Sequence, residues 1–481
     1  MHTIYCIYPS QNLTGGISSL RTLFLKDILT SMGIRPYKAH RGVSISEVIH
    51  NKSYAGHNTL YFQLRKRTVL DGKKYKDYDD FYIVTDAPFV NMDKLKPEQI
   101  IMVDDVVRSF FKFTSYYRHL FNIPIVAVTG TCGKTTTKEM LKHILQKDFT
   151  VQATISNQNT GYFNLPYLMG IDDETDIAII ETAVSGYGHM METCKHFFPN
   201  IGIITMIDVD HTDNFPSFRD YIAEKENLMK GLNNKGTLII NVDDPNILSM
   251  NFSKYKGKIV TYGKSKNADF NITDILFNES KMHFKVNYKG KLYNGVVPGM
   301  GEHNVYNATA SIAAAIEVGI NINTAIKRLA SFHHLNSRFQ IIEGRNQVTI
   351  IDDTWKSNPA SLKNGLSSLK KMSLPTQRTI AVLGRMAALG IYAAEEYAKA
   401  GRLLKELGID ILITKGFITK DIGRAAIHAG MKKENIYHFS QAEEMKAFLD
   451  SFLQPNDLLY FKTGGNDGVF DEIIQYLKKD I

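Results

Sequence analysis

The chain has 481 residues, 44% hydrophobic and 22% charged, a balance that suits about three folded domains and excludes a disulfide miniprotein, a collagen, a coiled coil and a disordered tail. Its three cysteines, Cys6, Cys132 and Cys194, lie too far apart for a disulfide framework or a zinc ribbon, which points to a reducing compartment. The net charge of +8 includes a cluster of Arg65, Lys66, Arg67, Lys73, Lys74 and Lys76. Asp77, Asp79 and Asp80 follow at once, so the cluster reads as a solvated surface rather than a nucleic-acid interface. No apolar run approaches the roughly 20 residues that span a bilayer, and the first residues lack a basic, then apolar, leader pattern. A cytoplasmic protein is expected.

In chain order, residues 18–32 suggest a helix with Leu20, Phe24 and Ile28 on one face, and two short strand patterns follow around residues 58–64 and 80–86. At residue 123 the pattern changes. IPIVAVT is a continuous apolar run, as in a parallel strand covered on both faces, and a glycine turn and a helix over 134–146 come next. Further buried strands are expected over 176–182, 200–207 and 236–242, with a helix over 217–232 between the last two. Residues 270–297 alternate around a Lys-Gly turn and predict a β-hairpin insert; an alanine-rich helix over 304–318 follows. From residue 332, strands in VTIIDDT, RTIAVLG, DILIT and DLLYFK alternate with helices over 360–371, 393–407, 419–430 and 441–452. Strands alternating with helices define α/β architecture. The expected organisation is an α/β N-terminal domain (1–122), a central P-loop ATPase-like domain with a parallel sheet (123–331) and a C-terminal Rossmann-like domain (332–481).

The strongest chemical signal is Thr129-Gly130-Thr131-Cys132-Gly133-Lys134-Thr135-Thr136, set between a strand and a helix. Glycines let the backbone turn its N–H groups on an anion, and the helix N-terminus adds its positive end. Lys134 can then reach the β and γ phosphates, and Thr135 can ligate Mg²⁺. The spacing is G-x-x-G-K-T rather than the longer G-x-x-x-x-G-K-T, with Val128 where the earlier glycine would stand. Glu181, Asp208, Asp210 and His211 fall at other strand ends, where open α/β sheets collect ligands, and hard oxygen donors there suit Mg²⁺.

These stretches occur in an order that resembles the ATP-dependent Mur ligases, which join a carboxylate to an amine while cleaving ATP. The matching pieces are TGTCGKTT, Asn157–Asn159 with Pro166, IIET, DVDHTDNF, IAEKENL, NVDD, PGMGEHNVYN, NSRFQ, IDDTWKSNPAS and VLGRMAALG. The last two look most like members that add D-alanyl-D-alanine to a UDP-MurNAc-tripeptide. The resemblance implies that Gly130, Thr131, Cys132, Gly133, Lys134, Thr135 and Thr136 hold ATP phosphates, Asn304 meets adenine, Asp353 meets ribose and Arg338 reaches the phosphates. It implies two Mg²⁺ ions held by Thr135, Glu181, His211 and a CO2-derived carbamate on Lys225, and substrate contacts at Asn157 and Asn358. Lys134, Lys225, His211 and Arg338 would be the catalytic set. The expected partners are a small-molecule carboxylate and an amino acid or dipeptide amine, with no nucleic acid and no membrane insertion, acting on a monomer.

Three features depart from the pattern. The N-terminal domain is divergent: residues 1–122 lack the Asp-Ser-Arg stretch with which such relatives often grip UDP. Trp355 and Lys356 replace the Tyr-Asn of such relatives, and Arg385 and Ala388 stand where they carry acidic residues. A Mur-like amide ligase acting on a carboxylate without UDP is therefore a second reading, and a nucleotide-binding regulatory protein without catalysis a third.

Overall fold

The computed structural model describes residues 20–50, 56–64, 70–155, 164–464 and 468–479. They fall into two compact units, Met1–Ile123 with Tyr162–Thr175, and Pro124–Gly161 with Asp176–Ile481. Cys6, Arg65, Lys66, Arg67, Asn157 and Asn159 lie outside the described residues.

The first unit contains a four-stranded parallel sheet in the order Glu47–Ile49, Thr59–Phe62, Phe81–Thr85, Ile100–Met102. Phe62 packs against Phe110 and Phe113 of the helix Val106–His119. The helix expected over 18–32 begins only at Leu25 and ends at Met32. Leu23–Phe24 instead pairs antiparallel with Ser44–Ile45, and Phe24 is exposed. Residues 164–175, assigned by sequence to the central domain, belong to this unit. The buried Tyr117 hydroxyl donates to the Ile171 carbonyl at 2.6 Å, and Arg21 pairs with Asp173.

The second unit holds two sheets. The larger has nine strands in the order Lys291–Pro298, Lys281–Tyr288, Phe270–Asn278, Lys258–Gly263, Thr237–Asn241, Ile201–Ile204, Ile125–Thr129, Ile177–Glu181, Val151–Ala153. From Val151–Ala153 to Phe270–Asn278 all neighbours are parallel. The apolar run at 125–129 is fully buried because helices cover both faces, as a parallel sheet requires. On one face Val126 and Val128 meet Met140, Leu141 and the alanine-rich helix Glu302–Glu317. On the other, Ala127 and Ile204 meet Cys194, Tyr221 and Leu228. The expected hairpin insert is a three-stranded antiparallel meander that continues this sheet. Its parallel joint to Lys258–Gly263 is only two residue pairs long, too short to stand out in the sequence. The helix expected over 217–232 breaks at Asn227 into Phe218–Glu226 and Leu228–Gly231; the Asn227 side-chain amide donates to the Glu224 carboxylate.

The six-stranded sheet runs Gln340–Glu343, Thr349–Asp352, Leu458–Lys462, Thr379–Leu383, Ile411–Lys415, Ile436–Phe439. Only its first pair is antiparallel. The four expected strands are present. Gln340–Glu343, Ile436–Phe439 and the helix Gly468–Leu477 were not expected; the two strands are short and half-polar, and they carry no apolar run.

Candidate active site

In the nine-stranded sheet, Ile125–Thr129 lies between Ile177–Glu181 and Ile201–Ile204. The chain leaves it toward one side first and the other later, so its carboxyl end is a topological switch point where a crevice opens. The glycine loop starts there. Gly130 adopts φ 145°, and a Cβ would come within 2.0 Å of Thr205 Oγ1. Gly133 adopts φ 83°, and a Cβ would meet Asn307 Oδ1 at 2.4 Å. Both positions need glycine because of left-handed backbone and close approach together. The loop is tied to the next strand end: Thr131 N donates to the Met206 carbonyl at 2.7 Å, and Asp208 N donates to Thr131 Oγ1 at 3.0 Å. Thr205 Oγ1 donates to the Cys132 carbonyl at 2.5 Å.

Lys134 opens the helix Lys134–Leu145 and turns its ammonium back to the Thr131 carbonyl, 3.1 Å away. Its pKa lies below the ordinary lysine value because of burial and the neighbouring Lys356. Thr135 is buried in the same first turn. Glu181 is register partner to Val128, one strand over from the loop, and is 1% exposed. The Thr135 hydroxyl and the Glu181 carboxylate are hard oxygen donors of the kind that fits Mg²⁺.

The second expected metal position has different occupants. His211 adopts a left-handed backbone conformation, and burial holds its imidazole pKa down at about 4. Lys356 lies against it, with Nζ 2.6 Å from Asp210 Oδ2 and 3.4 Å from His211 Nε2. Burial would raise the Asp210 pKa, but Lys356 and His211 overcome that and hold it at about 2. Lys225, 1% exposed, donates to the Gly130 carbonyl at 3.1 Å and stands 4.5 Å over the Tyr221 ring. Burial and Lys134 push its pKa well below the lysine range. A neutral amine is the form that takes up CO2, so carbamylation fits Lys225. A divalent ion on His211 does not fit, because an ammonium already faces its lone pair. Among the described residues no group of three or more His, Cys, Asp or Glu gathers as a metal site.

Several expected contacts have other partners. Asn358 is 1% exposed and caps the helix Pro359–Met372, accepting from Ser361 N. It also accepts from Cys132 Sγ at 3.1 Å and reaches Asp210 at 3.4 Å. Its amide joins the C-terminal sheet's first helix to the glycine loop. Asp353 is paired with Lys462 at 2.7 Å and accepts from Tyr460. Arg338 stacks over Trp355 at 5.4 Å. With Gly299, Met300, Asn304, His334 and Phe339 it lines a cavity of about 120 Å³, and the Asn304 amide donates to the Met300 carbonyl. Asp210, expected among the strand-end donors, and Lys356, expected only as a departure from the family pattern, both belong to the site. The pairing of the two had no signal in the sequence, because they lie 146 residues apart.

An α/β nucleotide-binding fold with a glycine loop at a switch point and a second sheet docked against it defines a phosphate-handling enzyme. Family models described as the Mur ligase middle domain and the Mur ligase glutamate ligase domain match residues 128–315 and 337–465. The chain belongs to the Mur ligase family. The UDP-N-acetylmuramoyl-tripeptide--D-alanyl-D-alanine ligase of Bacillus subtilis is 27% identical over 76% of this chain and 78% of its own. Among solved structures, MurF from Acinetobacter baumannii superposes with a TM-score of 0.80, at 20% identity, over 95% of this chain and 99% of its own. MurF from Thermotoga maritima in complex with ADP gives 0.73 at 21% identity over 90% and 96%. Among the described residues no helix is long and apolar enough to cross a membrane.

Proposed function

We propose that the chain is an ATP-dependent ligase that joins D-alanyl-D-alanine to the free carboxylate of a UDP-N-acetylmuramoyl-tripeptide. The observation that carries the ATP chemistry is the glycine loop at the switch point with Lys134 inside it and Glu181 level with it. The choice of substrates rests on the curated relatives, which match along about three quarters of their length. ATP and a nucleotide-sugar acceptor place the reaction in the cytoplasm, on small molecules alone.

A carboxylate attacking ATP brings two anions together. The carboxylate oxygen bonds to the γ phosphorus as the β–γ bridge breaks, and ADP leaves. Lys134 and Arg338 would offset the repulsion and align the in-line transfer. Thr135 and Glu181 would hold Mg²⁺, which when bound supplies positive charge to the phosphate oxygens. Lys225, as its carbamate, would turn a buried cation into an anion beside the loop. The amine then attacks the acyl phosphate, loses a proton and expels phosphate through a tetrahedral intermediate that must be shielded from water. Asn304 would meet adenine and Asp353 the ribose.

The test is phosphate release from ATP with UDP-MurNAc-tripeptide and D-alanyl-D-alanine. Release should require both substrates, and Lys134→Ala should lower kcat by about 10²–10³-fold. Release with other carboxylates but not with this tripeptide would move the acceptor to a carboxylate without UDP, while release that ignores Lys134 would remove the phosphate-loop assignment.

A further inference from the structure

We propose that Lys356 is the second cation of the phosphoryl-transfer centre, so that the chain holds one divalent ion per nucleotide rather than two. This rests on the ligase reading above and adds to it a catalytic side chain delivered by the C-terminal sheet. Lys356 lies between the strand Thr349–Asp352 and the helix Pro359–Met372. Its backbone is fixed on both sides. Trp355 N donates to the Ser337 carbonyl, and Ser357 and Asn358 are buried. The ammonium is anchored by its bond to Asp210, while the side chain as a whole is 41% exposed.

The ammonium faces Asp210 and His211. Asp210, its side chain 2% exposed, accepts from Lys356 Nζ at 2.6 Å and from Asn358 Nδ2 at 3.4 Å. A lysine ammonium only donates, so the 3.4 Å contact makes His211 Nε2 an acceptor. The lone pair that a metal would need is the one the ammonium faces. A divalent ion there would have to displace Lys356 from a buried carboxylate and then stand beside a freed ammonium. At the other position, Thr135 and Glu181 offer oxygen donors of the kind that suit Mg²⁺. The two positions differ in kind: oxygen donors on one side of the loop, a tethered cation on the other. Because Lys356 belongs to the C-terminal sheet, its charge arrives only when that sheet lies against the loop, as with an arginine supplied across an interface in other phosphoryl transfers.

The experiment counts Mn²⁺ bound to the full-length protein saturated with the β,γ-imido analogue of ATP, by electron paramagnetic resonance of free Mn²⁺. One ion per chain is expected, two in Lys356→Asn, and one again in Lys356→Arg. Two ions in the unaltered protein, or one in Lys356→Asn, overturn the proposal. The unaltered protein decides by itself if the variants fail to fold. Analogue bound with two ions leaves the ligase reading standing, whereas absence of analogue uptake removes both.

Discussion

At Lys225, burial and charge oppose each other. Its ammonium is closed off from water and faces a carbonyl and an aromatic ring rather than a carboxylate. The folded protein therefore binds the lysine proton less tightly than the unfolded chain does. The sign follows from linkage: the cost to stability is present in full below the folded pKa and fades as pH rises toward the ordinary lysine value. In CO2-free buffer Lys225→Met should melt higher than the unaltered protein near neutrality, with a gap that narrows as pH increases, and should be inactive. Differential scanning calorimetry across pH checks this, and a gap independent of pH contradicts a buried amine as its source. Lys225→Ala should regain turnover with added short carboxylates that stand in for a carbamate. The places of the loop, Glu181 and His211 at strand ends were legible from the strand pattern, whereas Lys225, inside a helix, was singled out only by the family resemblance. The Lys356–Asp210 pair was not legible, since it joins segments 146 residues apart and exists only after two sheets dock.

Among the elements, the helix Pro359–Met372 has a double task. Its cap, Asn358, ends the helix and also bonds Cys132 and Asp210. Asn358→Ala should cost about 1 kcal/mol through the cap alone and also loosen the loop, raising the KM for ATP. Asn358→Ser should restore most of the stability, because serine also caps, yet leave the KM raised. Thermal melts alongside initial rates separate the two effects, and equal recovery of both would show that the cap alone matters. Sequence patterns located this helix to within a residue, since proline at its first turn and apolar spacing are local. They missed the break at Asn227 and the meander's union with the central sheet, which depends on a two-pair joint.

For the whole molecule, the second unit closes around its own site. Thr212 Oγ1 donates to the Leu389 carbonyl at 2.7 Å and Thr212 N to Ala388 at 3.0 Å, while Phe218 N donates to the Tyr392 hydroxyl. These bonds hold the segment after His211 against residues 388–392, and nucleotide entry is expected to part them. In stopped-flow experiments with a fluorescent ATP analogue, the observed rate should reach a plateau at high concentration. Thr212→Val, which removes one bond, should raise that plateau several-fold. A rate that climbs linearly without limit would mean that entry needs no opening. The division into a nucleotide-binding sheet and a second parallel sheet was legible from alternating strands and helices. The reassignment of residues 164–175 was not, because it hangs on Tyr117 and Arg21, both far away in sequence.

The meander has a consequence beyond its own packing. It leaves Lys291–Pro298 as the outermost strand of the nine, beginning in an exposed lysine and ending in a proline with no N–H to offer. A bare strand of eight residues could template the addition of another molecule. A second chain approaching this rim would meet a positive charge at one end and a missing donor at the other. The growth of the sheet stops where the chain itself stops it, a protection against fibrous association built into the rim.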